Sequence, residues 1–114
     1  MEAAARGAAE AGGRVIGIVR GTDAGEANPY CTEVVATGVG QARNLAVVAS
    51  GAVAIAVGGE WGTLSEIALA RTIDRTVVTL SSWGLVGRER MEGAPGVVPA
   101  KSAEDAVVAA LAAL

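Results

Sequence analysis

Apolar residues along the chain fall into short runs, separated by stretches whose hydrophobic positions recur at helical spacing. The least interrupted run is Ala52–Val57, with β-branched Val53, Ile55 and Val57 and no polar alternation. Such a pattern predicts a strand covered on both faces, as in a parallel sheet. Val15–Val19, Glu33–Thr37 and Thr76–Leu80 read as further strands, and Val97-Val98 as a short edge strand. Between them lie predicted helices: Met1–Ala11, stopped by Gly12-Gly13; Gln41–Ser50, with Leu45, Val48 and Ala49 facing inward; and Thr63–Arg71. A last helix starts after Ser102 as its cap, with Glu104 and Asp105 in the first turn. Glu2, Arg6 and Glu10 stand four apart, the spacing of helical charge pairs. The loop-formers Gly84, Gly87, Gly93, Pro95, Gly96 and Pro99 predict a long connection after Leu80. Strands that alternate with helices predict the α/β class, a parallel sheet with helices on both faces.

The junction after Val57 holds the candidate chemistry. Gly58 and Gly59 permit a sharp turn, and Gly62 permits close approach of a ligand to the backbone. Thr63 followed by Glu66 reads as a helix N-terminus with a capping box, Thr63 at the N-cap. Ligands of open α/β sheets bind at the carboxyl ends of strands, and free N–H groups at a helix start favour anions. Two readings of Gly58–Thr63 stand side by side: a phosphate or carboxylate site, or a plain connector. Arg43 belongs to the first turn of the helix after Gly38 and Gly40, where the helix dipole disfavours a cation. A bound anion would account for it; so would solvent, or pairing with Glu60 or Glu66. Asn44 is placed either to meet a ligand hydroxyl or to serve the backbone. Asp23 and Glu33 have no evident partner and read as solvated. Trp61 reads as a cover for a base or pterin ring, or as a surface or dimer-interface residue.

Composition narrows the chemistry. The chain has 114 residues, 52% hydrophobic and 18% charged, which fits a single folded domain, 1–114. It carries a net charge of −3, which argues against a nucleic-acid partner. No apolar run nears the ~20 residues of a membrane span, and the N-terminal stretch lacks the apolar core of a signal peptide. The lone Cys31 reads as a small packing residue in a reducing, cytoplasmic setting. There is no histidine, which removes Ser-His-Asp and Cys-His catalysis and every histidine-containing zinc site. Acid–base work falls to carboxylates, Lys101, Tyr30 or Cys31. No metal site and no cofactor are expected.

The order MEAAARGAAEAGGRVIGIV, NPY, TGVGQARN and AVGGEWGTLSEIALA resembles the LONELY GUY-like (SLOG) Rossmann-type proteins, formerly labelled lysine decarboxylases. Within them it is most similar to a small bacterial subgroup related to molybdenum cofactor carrier proteins. The resemblance implies a Rossmann-like fold and a phosphorylated ligand of nucleotide or pterin type. It implies a nucleoside 5′-monophosphate phosphoribohydrolase or a non-catalytic carrier; an interaction module with a vestigial site is the third reading, and the departures below give it weight. In the hydrolase version Gly58, Gly59, Gly62 and Thr63 hold the phosphate, and Arg43 and Glu66 act at the scissile N-glycosidic bond. Asn44 completes the ligand contacts. A carboxylate suits that chemistry because cleavage builds oxocarbenium character at the anomeric carbon. The resemblance also implies a homodimer formed through helices near the glycine–threonine motif. Lysine decarboxylation is not implied, since Lys101 is the chain's one lysine.

Two departures from the family pattern stand out. Glu60 occupies a position that is usually glycine, and a carboxylate there repels a phosphate unless it points away. Met1 stands at a helix that family members place after a strand–helix–strand unit of roughly 30 residues. The expectation is therefore a sheet lacking that first unit, with the lost strands between Val15–Val19 and Glu33–Thr37.

Overall fold

A computed structural model describes residues 1–83 and 95–114, in two compact units, Met1–Ala46 and Val47–Leu114. Gly84, Gly87 and Gly93 of the expected connection lie outside the described residues.

In the first unit, helix α1 (Glu2–Glu10) ends at Ala11, and Gly12 takes φ +77°, a left-handed conformation that costs glycine little. Strand β1 (Ile16–Val19) then pairs in parallel with β2 (Glu33–Ala36), in the register Ile16↔Glu33 to Val19↔Ala36. This corrects the expectation of lost strands between them. Hydrogen-bonded neighbours lie only about 4.8 Å apart, which leaves no room for another strand. Glu33 is not solitary either. Its carboxylate pairs with Arg14 at 2.7 Å, an ion pair exposed on both sides. Asp23 accepts from the Gly25 N–H and caps a single 3-10 turn, Ala24–Glu26. Cys31 packs with its sulfur against Gly17 of β1, as expected of a packing residue.

A second 3-10 turn, Gly40–Ala42, leads into helix α2 (Arg43–Ser50), which begins in the first unit and ends in the second. Its buried positions are Asn44 and Val48, four apart and so on one stripe. Leu45 and Ala49, expected inside, are exposed. Val48 is buried as expected, and Asn44 takes the inward place expected of Leu45.

The second unit is a three-stranded parallel sheet in the order β3-β4-β5, formed by Val53–Val57, Thr76–Leu80 and Val97–Ala100. Helix α3 (Trp61–Thr72) crosses from β3 to β4, and α4 (Ala103–Ala112) follows β5. Ala54 and Ala56 of β3 pack with Val77 and Val97 against Ile67 and Ala70 of α3. Val53 and Ile55 point the other way and line a shallow apolar groove with Val107 and Leu111 of α4. Helices thus cover both faces of this sheet, as the alternation of elements predicted. The centre is β4, where Val77 and Val78 are fully buried. β3, expected to be the strand covered on both faces, is an edge strand among the described residues, with Ile55 43% and Val57 57% exposed.

Ser102 caps α4 as predicted, accepting from the Asp105 N–H at 3.1 Å. Among the described residues no helix is long and apolar enough to cross a membrane.

Candidate functional site

The turn from β3 into α3 lies at the carboxyl end of the parallel sheet, where sheet geometry gathers free backbone groups. Gly58 has φ +55° and Gly59 φ +99°, both conformations that side chains resist. The Gly58 N–H extends the ladder by donating to the Leu80 carbonyl at 3.0 Å. From the next loop, the Ser82 hydroxyl donates to the Gly58 carbonyl at 2.5 Å. The Trp83 indole N–H donates to the Glu60 carbonyl at 3.0 Å. Three bonds from the end of β4 therefore hold the glycine turn in place. Nothing in the sequence pattern singled out Ser82 or Trp83; the only signal was their position just past a strand end.

Helix α3 begins earlier than expected. Its first residue is Trp61, and Glu60 occupies the N-cap position without any side-chain cap bond. Thr63 is inside the first turn, so the expected capping box with Thr63 as N-cap does not form. The reason is the glycine turn: it aims the chain into the helix two residues before Thr63. Thr63 turns its side chain back over Gly59, and a Cβ at position 59 would collide with it. The N–H groups of Trp61, Gly62 and Thr63 precede the first helical donor, Leu64, and among the described residues no side chain caps them. The first helical bond runs from the Leu64 N–H to the Glu60 carbonyl at 3.1 Å. At Gly62 an added Cβ would meet no atom of the described residues within 4 Å, so their packing does not require glycine there. Such a terminus is polarised to hold an anion.

Glu66 lies one turn further along α3 and is half-buried. Gly58, Gly59, Gly62, Thr63 and Glu66 thus share one strand–helix junction of the second unit. Arg43 and Asn44 open α2 in the first unit. The Arg43 guanidinium folds back to donate from Nη1 to the Ile18 carbonyl of β1 at 3.1 Å. Its Nε is buried without an acceptor among the described residues. The reading of Arg43 as a solvent-turned cation is therefore set aside. Asn44 is 3% exposed, too deep for an ordinary helix-start polar residue. Among the described residues no cluster of three or more carboxylates and cysteines is placed to hold a metal ion.

Trp61 is 74% exposed, and its ring lies against that of Trp83 with centroids 5.1 Å apart and planes inclined at 37°. Trp83 is itself half-buried against the core of the second unit.

Comparison with known proteins agrees with this architecture. An uncharacterised protein of Archaeoglobus fulgidus is 42% identical over 81 residues, 70% of this chain and 52% of that protein. The chain thus matches about half the length of that curated relative. The molybdenum cofactor binding protein of Rippkaea orientalis superposes with a TM-score of 0.84 at 32% identity, over 98% of this chain and 69% of that one. The Moco carrier protein of Chlamydomonas rheinhardtii superposes with a TM-score of 0.74 at 30% identity, over 96% and 67%. These likenesses make the fold Rossmann-like. A family model matches residues 1–108, and the chain belongs to the SLOG cluster4 family.

Proposed function

We propose that this protein binds a phosphorylated small molecule of nucleotide or pterin type and acts as its carrier. The observation behind this reading is the uncapped first turn of α3, entered through two left-handed glycines and left open at Gly62. Amides arranged in this way suit a phosphate. The choice of a carrier draws on the two solved relatives, which bind or carry the molybdenum cofactor, a phosphorylated pterin. Native mass spectrometry of the purified protein should find a retained ligand. Thermal denaturation should shift upward with a phosphorylated pterin or a purine monophosphate. A clean apo mass together with no shift from either ligand rejects the reading.

A second reading is favoured by Glu66, half-buried one turn beyond Thr63. A carboxylate there suits hydrolysis of a nucleoside 5′-monophosphate, in which water adds to the anomeric carbon as the C–N bond breaks and the base leaves protonated. This version takes Arg43 as the second catalytic group from the family resemblance alone. Free base should appear when nucleoside monophosphates are incubated with the protein, and Glu66→Gln should abolish it. Release unchanged by that substitution rejects Glu66 as the catalytic group.

The remaining expectations follow the same reading. The chain works as one ligand-binding domain in the cytoplasm, where a lone cysteine stays reduced, and pairs with a second copy through helices near the glycine turn. Light scattering on the purified protein tests the pairing.

A further inference from the structure

We propose that Trp61 and Trp83 form a stacking platform that selects ligands bearing a planar heterocycle. This rests on the reading of the α3 turn as a phosphate site. Aromatic residues make up 3% of the sequence, two tryptophans and one tyrosine with no phenylalanine. Both tryptophans meet at this one turn, their centroids 5.1 Å apart. A tryptophan kept for packing would be buried, yet Trp61 is 74% exposed. It is not left loose, because Trp83 backs it. Trp83 is fixed in turn by its indole N–H on the Glu60 carbonyl and by packing on the core. The result is a braced aromatic surface whose outer ring, Trp61, is open among the described residues. It belongs to the same first helical turn whose N–H groups are uncapped. A phosphate held by those amides leaves the rest of the ligand within reach of the indole. Stacking on an indole tolerates any flat heterocycle, so it separates ligands with a ring from those without and does not choose among rings. The chemical class is a phosphate ester of a purine or pterin, not a simple sugar phosphate.

The test compares three probes on the intact protein: a purine nucleoside monophosphate, a phosphorylated pterin and ribose 5-phosphate. Intrinsic tryptophan fluorescence should be quenched by at least one of the two ring-bearing probes and not by the sugar phosphate. Trp61→Ala should weaken binding of the quenching probe about tenfold and change ribose 5-phosphate binding less than twofold. Trp61→Phe should restore most of the loss. Circular dichroism and light scattering on the variants separate a lost stacking surface from a lost fold or a lost dimer contact. Equal weakening of all three probes, or unchanged binding of the ring-bearing ones, overturns the platform while leaving the phosphate site standing. Failure of every probe to bind the unaltered protein removes the phosphate site itself, and the platform with it.

Discussion

The Thr63 side chain occupies the space that a Cβ on Gly59 would need, four residues earlier in the chain. Gly59 also has φ +99°, so sterics and backbone conformation both exclude other residues there. Gly59→Ala should therefore lower stability by about 1–3 kcal/mol, the usual scale for a side chain forced into such a conformation. Shortening Thr63 relieves the collision and leaves the strain. Gly59→Ala combined with Thr63→Ala should thus be less damaging than the sum of the two single variants. Chemical denaturation of the three proteins measures this coupling.

Gly62 makes the opposite prediction. An added methyl meets nothing among the described residues, and alanine is the better helix former. Gly62→Ala should be neutral or slightly stabilising, by up to about 1 kcal/mol. It should still weaken phosphate binding several-fold, because the methyl stands where the ligand approaches the amides. Titration with a purine monophosphate or a phosphorylated pterin, set beside a thermal melt, checks both halves. Unchanged affinity would place the anion elsewhere.

These two glycines mark how far the site was legible in the sequence. The glycine–threonine–glutamate spacing located the strand–helix junction, and left the anion site and the plain connector side by side. The capping box was misread because Thr-x-x-Glu looks the same at the N-cap and two positions further in. Only the backbone path through Gly58 and Gly59 tells the two apart. Trp83 and Ser82 were invisible because their bonds to Glu60 and Gly58 join residues more than twenty apart. The sequence likewise offered no route from Arg14 to Glu33, or from Arg43 to Ile18.

The strands were easier, and the error lay in ranking them. Thr76–Leu80 was found with its full span, and Ile16–Val19 and Glu33–Ala36 to within a residue. Ala52–Val57 looked more buried than Thr76–Leu80 because it has no polar residue. The threonines of β4 are no obstacle in the centre of the sheet: Thr79 is 7% exposed. Hydrophobic runs report that a strand is apolar, not which neighbours it has. Ile67 and Ile55 put this to the test. Ile67 is 1% exposed in the core, and Ile67→Ala should cost about 2–5 kcal/mol. Ile55 is 43% exposed, and Ile55→Ala should cost well under half as much. Equal losses would mean that β3 is covered in solution.

The cap of α4 gives a prediction in pH. Backbone hydrogen bonding at the helix start, and then the Ser102 hydroxyl, hold the Glu104 carboxyl below the usual carboxylate range. A lowered folded-state value stabilises the fold above the unfolded-state value, and that stabilisation disappears as pH falls through the lowered one. Melting temperature should thus drop on acidification in this window. Ser102→Ala should cost about 1 kcal/mol at neutral pH through the lost cap. It should also flatten the acid limb, because one support of the ionised Glu104 is gone. A parallel acid limb in the variant would mean that the Ser102 hydroxyl lends the ionised Glu104 no support.

Arg43 has a structural bond that can be tested within the first unit. Its Nη1 bond to the Ile18 carbonyl ties the start of α2 to β1, and a charged donor to a carbonyl is worth about 1.5–3 kcal/mol at most. Arg43→Ala should lower stability within that range. The Nε of the same guanidinium is buried without an acceptor among the described residues, so the Ile18 bond is the contact whose loss the variant reports. Arg43→Lys should recover little of the stability, since an ammonium lacks the planar fork that reaches Ile18 in this geometry. Chemical denaturation of the two variants measures both effects, and a loss near zero in Arg43→Ala would mean that the Ile18 bond adds nothing to the fold.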